Sequence, residues 1–329
     1  MTTTTTSNQR SDLYTRVTER VVADLEGGAR PWLKPWTSGS PRITRPRRHN
    51  GMPYRGINVL LLWGEAIERG YSASLWMTYR QALELGAHVR QGEHGTTVVF
   101  ADRIVRKDTD EAGHDVERVF PFLKAYSVFN VAQIENLPAQ YLPHPEPQTD
   151  KLELLASAEA FIAATGATIR HGGDSAYYSP KLDIIKLPVP EAFRDAESYA
   201  ATTAHELTHW TAHPSRLNRE FGGQRFGDTG YAREELVAEL GSAFLCADLG
   251  ITPEPCEDHA AYLAHWIAVL RDDKRAIFAA SAHAQKAVDF LHGLQPNAMP
   301  VPVERRMGEG AGEARQYAIM PPRREAAAR

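Results

Sequence analysis

Cysteine is scarce in this chain of 329 residues, which contains only Cys246 and Cys256. Two thiols are too few for a disulfide scaffold or a four-cysteine zinc site, so we expect reduced thiols. Long apolar runs are also missing, because the longest candidate, residues 57–63, falls far short of the roughly 20 residues of a membrane span. The N-terminal Met-Thr-Thr-Thr-Thr-Thr lacks the basic start and apolar stretch of a secretory signal. The sequence therefore predicts a cytoplasmic globular protein without a membrane partner.

The chain has the length of about two domains, and a proline-rich stretch marks the expected boundary. Four prolines lie within residues 138–150, where they disfavour both helix and central strand. Residues 151–293 carry 13 Lys and Arg against 20 Asp and Glu, a net charge of −7, whereas the preceding half is nearly neutral. The predicted divisions are a disordered N-terminus (1–10), a first domain (11–137), a linker (138–150), a second domain (151–293) and a disordered tail (294–329).

Apolar periodicity predicts an α+β protein with a mixed first half and a mainly helical second half. Ser74 is the expected cap of the third helix, residues 76–85. The predicted helices are 13–25, 57–69, 76–85, 152–164, a helix from Ala196, 232–249, 258–272 and 274–291. The predicted strands are 96–106, 118–129, 167–170 and 183–187.

The sharpest chemical signal is His205-Glu206-Leu207-Thr208-His209. Two histidines four residues apart share one helix face and can occupy adjacent corners of a tetrahedral zinc site. The intervening Glu206 is placed to act as the general base on a water molecule at the metal. The motif predicts one zinc ion (Zn2+) per chain, or another divalent metal, and the chemistry of peptide hydrolysis.

A third ligand is required, and the helix that follows offers carboxylates. Glu235 and Glu239 share a helix face that is otherwise apolar, and a metal dication would compensate their burial. We assign Glu235 as the ligand and Glu239 as the group that orients a histidine, with the reverse assignment left open. Glu234 points away from this face and is expected in solvent. His213 lies about 12 Å along the helix axis from His205 and is rejected as a ligand.

A tyrosine or histidine is expected to stabilise the oxyanion of the reaction. Tyr231, Tyr177 and Tyr178 are the candidates, and the sequence does not choose among them. Asp183, which precedes the motif helix, is interpreted as a strand-end residue.

A second signal is electrostatic: residues 27–64 contain no Asp or Glu, but many basic and aromatic side chains. Cations contact phosphates and rings stack on bases in single-stranded nucleic-acid grooves. The predicted DNA-contact residues are Arg30, Trp32, Lys34, Trp36, Arg42, Arg45, Arg47, Arg48, Tyr54 and Arg55.

Many separate segments, all in one order, resemble the ArdC-type antirestriction proteins of conjugative plasmids. The matching segments are 31–36, 54–58, 76–82, 89–93, 126–131, 201–210, 216–217 and 231–241. The resemblance implies an N-terminal domain that binds single-stranded DNA, followed by a zincin-like, gluzincin-type metallopeptidase domain. It also implies a role in protecting incoming plasmid DNA from host restriction.

In the leading interpretation, the protein substrate is unknown, with a restriction enzyme or a DNA-bound protein as candidates. Two alternatives remain open. One is a DNA-tethered protease similar to SprT-like enzymes, which degrades DNA-bound proteins and for which antirestriction is incidental. The other is a non-catalytic protein that shields DNA, with a purely structural metal site. They differ in whether Glu206 is needed for biological function.

Overall fold

A computed structural model describes residues 4–27, 32, 44–109, 115–142, 151–222, 228–251 and 259–296. In the first half, the elements are α1 (Thr4–Glu26), β1 (Arg47–Arg48), α2 (Ile57–Arg69), β2 (Leu75–Met77), α3 (Tyr79–Glu84), β3 (His88–Val89), β4 (Thr96–Thr109), β5 (Asp115–Asn130) and β6 (Ile134–Glu135). In the second half they are α4 (Lys151–Ala164), β7 (Thr168–His171), β8 (Tyr177–Ser179), β9 (Ile184–Leu187), α5 (Ala196–Trp210), α6 (Thr229–Leu249), α7 (His259–Asp272) and α8 (Ala276–Gly293). The α+β prediction is confirmed.

The first half is built on a sheet with the strand order β1-β2-β5-β4. Strands β1 and β2 are parallel, whereas β2, β5 and β4 pair antiparallel. A separate ribbon pairs β3 with β6. The β4–β5 pair confirms the two strands expected from alternating apolar residues. In the second half, a three-stranded sheet has the order β7-β9-β8, so β8 lies at its edge next to β9.

Three predictions about local structure are wrong. Residues 75–77 form strand β2 rather than the start of a helix, and α3 is capped by Thr78 instead of Ser74. Thr78 makes a reciprocal capping box with Gln81, which fixes the start of the helix. Helix α1 begins at Thr4, so the backbone of residues 4–10 is helical where disorder was expected. Strand β8 was missed because its three residues are too few to show periodicity.

One hydrophobic core runs through both halves of the chain. It includes Leu13 of α1, Leu62 of α2, Phe244 of α6 and Leu291 of α8, all nearly fully buried. Helix α1 packs on α7, and α2 packs on α8, so the first half covers the helices of the second. The predicted domain boundaries stay predictions, because residues 143–150 of the linker lie outside the described residues, as does the tail from 297 onward.

Helices α5 and α6 cross closely at Gly241. An added Cβ there would lie 2.5 Å from Cγ2 of Thr208, so only glycine permits this approach. The crossing brings the motif helix α5 against the carboxylate-bearing helix α6, which builds the candidate metal centre. Among the described residues, no helix has the length and apolar character needed to span a membrane.

Candidate metal centre

Helix α5 presents both motif histidines to one point. Its first turn is fixed by Asp195, whose side chain accepts a hydrogen bond from the backbone N–H of Ser198 at 2.8 Å. Four residues span about one helical turn, so His205 and His209 lie one above the other. Their Nε2 atoms are 3.2 Å apart.

Helix α6 brings Glu235 to the same point. Its Oε2 lies 3.5 Å from Nε2 of His205, and its Oε1 lies 3.5 Å from Nε2 of His209. Zinc bonds of about 2.1 Å at tetrahedral angles place two ligand atoms about 3.4 Å apart. The separations are close to this value, with a different oxygen of Glu235 facing each ring, and the three side chains can hold a divalent metal ion.

Glu234 lies beside the metal cluster, so the prediction that it points into solvent is wrong. Its Oε1 is 3.1 Å from Nδ1 of His209. Arg219, whose side chain is 1% exposed, pairs with both oxygens of Glu234 at 2.6 and 2.8 Å. A carboxylate at the second nitrogen of a ligating histidine fixes the ring and its tautomer. Sequence spacing missed Glu234 because its turn toward α5 depends on Arg219, which lies in the loop between the two helices.

Glu239 lies one turn beyond Glu235 on α6 and is 4% exposed. Its Oε2 is 3.9 Å from Nδ1 of His205, an ion-pair distance that is longer than a hydrogen bond. Glu235 reaches the Nε2 atoms of both histidines, whereas Glu239 faces only the far side of one ring. The geometry therefore favours Glu235 as the ligand and Glu239 as the orienting group.

The electrostatics of the cluster favour a bound cation. Burial alone would lower the pKa of His209, but Glu235 and Glu234 outweigh it, and the pKa lies well above its ordinary value. Burial would likewise lower the pKa of His205, but the hydrogen bond to Glu235 and the charges of Glu206 and Glu235 together outweigh it, so this pKa is also raised. In turn, the two histidines outweigh burial at Glu235 and bring its pKa well below the usual range. Such a carboxylate-rich cluster holds protons that a metal dication would displace.

Glu206 is buried next to this cluster. The backbone N–H of Tyr178 in β8 donates a hydrogen bond to its carboxylate, while Oε2 has no hydrogen-bond partner among the described residues. Burial raises the pKa of Glu206, and the nearby histidines oppose that rise. Buried polar oxygens are almost always hydrogen-bonded, so an unsatisfied carboxylate oxygen beside a metal-binding triad fits a group that meets a ligand there.

Among the three candidate tyrosines, Tyr178 is already engaged. Its hydroxyl donates to Asp183 at 2.8 Å and accepts from Arg216 at 3.1 Å, and burial is the main cause that raises its pKa to about 12. Asp183, interpreted as a strand-end residue, also pairs with Arg216. Tyr177 is exposed and Tyr231 is half-buried. The oxyanion role therefore stays a prediction for all three.

The DNA-contact prediction is wrong for three side chains because they belong to the core. Trp32 is fully buried, Tyr54 is 7% exposed, and Arg45 is 5% exposed. Arg45 forms an ion pair with Asp248 and stacks over Phe244. Composition alone could not reveal the burial of Arg45 and Trp32, because their partners Asp248 and Glu239 lie some 200 residues away on α6.

The other predicted contacts have different outcomes. Arg55 is paired with Asp289. Arg47 is exposed, and Arg48 is half-buried with its guanidinium over the ring of Tyr54. The remaining four lie outside the described residues: Arg30, Lys34, Trp36 and Arg42.

Comparison with known proteins agrees with this geometry. Residues 156–283 match the family described as zincin-like metallopeptidase. Residues 11–129 match the N-terminal domain of the anti-restriction factor ArdC. The fold and the site thus define a zincin-like metallopeptidase domain preceded by an ArdC N-terminal domain.

Relatives that match over most of the chain specify the family. The metal-free crystal structure of the antirestriction protein ArdC from plasmid R388 has a TM-score of 0.73 and 47% sequence identity, covering 88% of this chain and all of that one. Its Mn(II)-bound structure has a TM-score of 0.69 and 45% identity, over 87% and 99% of the two chains. The protein belongs to the ArdC family of antirestriction proteins.

Two curated relatives extend the comparison. The uncharacterized protein y4eC of Sinorhizobium fredii is 41% identical over 91% of this chain and 97% of its own. A DNA primase TraC of Escherichia coli is 40% identical over 86% of this chain. The match covers only 27% of that primase, so this chain corresponds to about a quarter of its length.

Proposed function

We propose that the protein is a zinc-dependent peptidase, with one ion per chain held by His205, His209 and Glu235. The observation that carries this proposal is the convergence of three ligand groups: the two Nε2 atoms lie 3.2 Å apart, and each lies 3.5 Å from one oxygen of Glu235, close to the separations of tetrahedral coordination. Two histidines and a carboxylate leave the fourth position for water or substrate, as in catalytic rather than structural zinc sites. The Mn(II)-bound structure of a relative supports a divalent metal ion in this fold. The choice of zinc as that ion is part of our proposal.

The side chains of the metal centre have different roles in the proposed hydrolysis. When bound, a divalent metal supplies a Lewis acid that polarises a carbonyl group and acidifies a water molecule. Glu206 accepts the proton of that water and returns it to the leaving amine, using the buried oxygen that has no partner among the described residues. Glu234 and Glu239 hold the two histidine rings in orientation. Burial raises the pKa of Glu206 above its ordinary value, a direction that suits a base that first accepts a proton and then gives it back.

We further propose that the first half binds single-stranded DNA. The match to an ArdC N-terminal domain and the acid-free, arginine-rich residues 27–64 support this role. Similarity to part of a DNA primase is consistent with a region that acts on DNA. Of the predicted contacts within the described residues, Arg47 and Arg48 keep a side chain available to phosphate. Arg30, Lys34, Trp36 and Arg42 complete the proposed set.

In this account, the protein protects incoming mobile-element DNA in the cytoplasm of the recipient cell. Its protein substrate is a restriction enzyme or another DNA-bound protein. The alternatives are a SprT-like protease for which antirestriction is incidental, and a DNA-shielding protein with a structural metal. The buried carboxylate oxygen of Glu206, which has no hydrogen-bond partner in the described part of the chain, favours a catalytic centre over a structural one.

The substitution Glu206→Gln tests this function. The variant should keep one metal ion per chain and full DNA affinity, while cleavage of DNA-bound proteins falls by at least about a hundredfold. Glu220→Gln, an exposed neighbour on the loop after α5, serves as the matched control. If the Glu206 variant cleaves like the control, the peptidase proposal fails. If cleavage is lost but conjugating DNA is still protected, the shielding alternative accounts for antirestriction.

A further inference from the structure

Trp32 connects the arginine-rich segment of the first half to the metal centre in the second. Its indole is fully buried, and Nε1–H donates a hydrogen bond to Oε1 of Glu239 at 3.2 Å. The ring of Trp266 on α7 lies beside it, with ring centroids 6.3 Å apart. The two partners of this hydrogen bond are separated by 207 residues of sequence, so the contact exists only in the folded chain.

The two oxygens of Glu239 face different groups. Oε1 accepts the indole N–H, and Oε2 faces Nδ1 of His205 at 3.9 Å. The opposite nitrogen of that ring, Nε2, faces the proposed ligand Glu235. A carboxylate that can rotate freely holds a histidine ring poorly, whereas one with its first oxygen bound by a rigid indole presents its second oxygen at a fixed place.

We propose that Trp32 is a positioning residue of the metal centre, which orients His205 through Glu239. The inference rests on the proposed metal ligands and adds a group from outside the zincin-like domain. The first half of the chain thereby contributes a group that orients a metal ligand, although the proposed ligands themselves all lie in the second half.

The choice of an indole has an electrostatic reason. On the other histidine, the orienting Glu234 is paired with Arg219, which cancels its charge. The indole N–H of Trp32 is a neutral donor, so it satisfies one buried oxygen of Glu239 without adding a positive charge of its own. A carboxylate beside His205 increases the attraction for a metal dication.

The test is metal affinity in the full-length protein, measured by competition between Zn2+ and a chromophoric chelator. Trp32→Phe keeps a buried ring but removes the donor, and we expect about tenfold weaker binding, at the low end of the 10- to 100-fold effect of outer partners. Trp63→Phe is the matched control, because it removes an indole N–H that donates to the backbone oxygen of Thr44 at 3.0 Å. Equal affinities for these two variants would overturn the proposal.

A spectroscopic measurement separates positioning from a general loss of packing. The visible spectrum of the Co2+-loaded protein reports the geometry of the ligands. It should change in Trp32→Phe and match the wild type in Trp63→Phe. An unchanged spectrum in the Trp32 variant would contradict an effect on His205.

A double-mutant cycle tests the route through Glu239. Glu239→Gln should weaken zinc binding by about 10- to 100-fold, and adding Trp32→Phe should then cost little more. A further tenfold loss in the double variant would show that Trp32 acts by another route.

If Trp32→Phe does not fold, the zinc affinity of Glu239→Gln tests the proposal by itself, because wild-type affinity in that variant refutes it. The ligand variant His205→Ala distinguishes the failures: if it also binds zinc normally, the metal site itself is wrong.

Discussion

Replacing Arg45 distinguishes a role in folding from a role in DNA binding. The sequence predicts that this side chain contacts DNA, whereas the structure buries it. Its guanidinium donates to both oxygens of Asp248, at 3.0 and 3.4 Å, and to Gln285 at 3.2 Å. Removing one partner of a buried ion pair costs about 3–5 kcal/mol. The side chain of Asp248 remains 20% exposed and lies 3.3 Å from His292. We therefore expect Arg45→Met to lower the free energy of unfolding by about 3 kcal/mol.

Urea unfolding at neutral pH measures this loss, and Arg47→Met is the control. Arg47 is exposed, so its replacement should change stability by less than about 0.5 kcal/mol. It should instead weaken single-stranded DNA binding and reduce the salt slope by about one. The double variant Arg45→Met/Asp248→Leu should recover most of the lost stability, because it removes the uncompensated charge. An Arg45 variant as stable as the wild type, but with weakened DNA binding, would refute the reasoning.

The pH dependence of the free energy of unfolding is a second test of the ion pair between Arg45 and Asp248. Burial alone would raise the pKa of Asp248, but Arg45 and His292 bring it below its ordinary value. A carboxylate whose pKa is lower in the folded state stabilises the fold above its unfolded pKa, about 4. The stability difference between Arg45→Met and the wild type should thus be full at neutral pH and shrink as the pH falls below about 4.

Three further predictions concern the metal centre and the helix crossing that builds it. Glu234→Gln should weaken metal binding by about 10- to 100-fold, because the carboxylate orients His209, and a chelator competition that shows no change would contradict this role. Gly241→Ala should destabilise the fold by about 1–3 kcal/mol in urea, whereas Gly293→Ala, with no atom within 4 Å of the added methyl group, should be close to neutral. Apparent metal affinity should rise as the pH increases above about 6.5, the ordinary histidine pKa, since bound metal displaces protons from His205 and His209, whose pKa values are raised, and a flat profile would exclude this competition.

The sequence could predict those parts of the fold and site that depend on local spacing. The bounds of α2 agree with the apolar period, and the residues of α5 and α6 that face each other follow from intervals of four. Cys246 lies in an apolar stretch of the sequence and is fully buried, and burial raises its pKa to about 12. These features need no knowledge of distant contacts.

Features that depend on long-range contacts could not be predicted in this way. Glu234 turns toward His209 because Arg219 binds it, and Arg45 is buried because Asp248 lies on a distant helix. An arginine in a basic, aromatic stretch has the same local pattern whether it meets phosphate or a buried carboxylate. Tertiary partners decide between these outcomes, and composition contains no information about them.

The most direct test of the account is zinc stoichiometry and affinity for Glu235→Gln and Glu239→Gln beside the wild type. We predict one tightly bound zinc per chain in the wild type and one more weakly bound zinc in the Glu239 variant. The Glu235 variant should retain no zinc after dialysis, because it lacks the third ligand. Retention by Glu235→Gln together with loss in Glu239→Gln would reverse the ligand assignment, and retention by both would contradict the proposed metal centre.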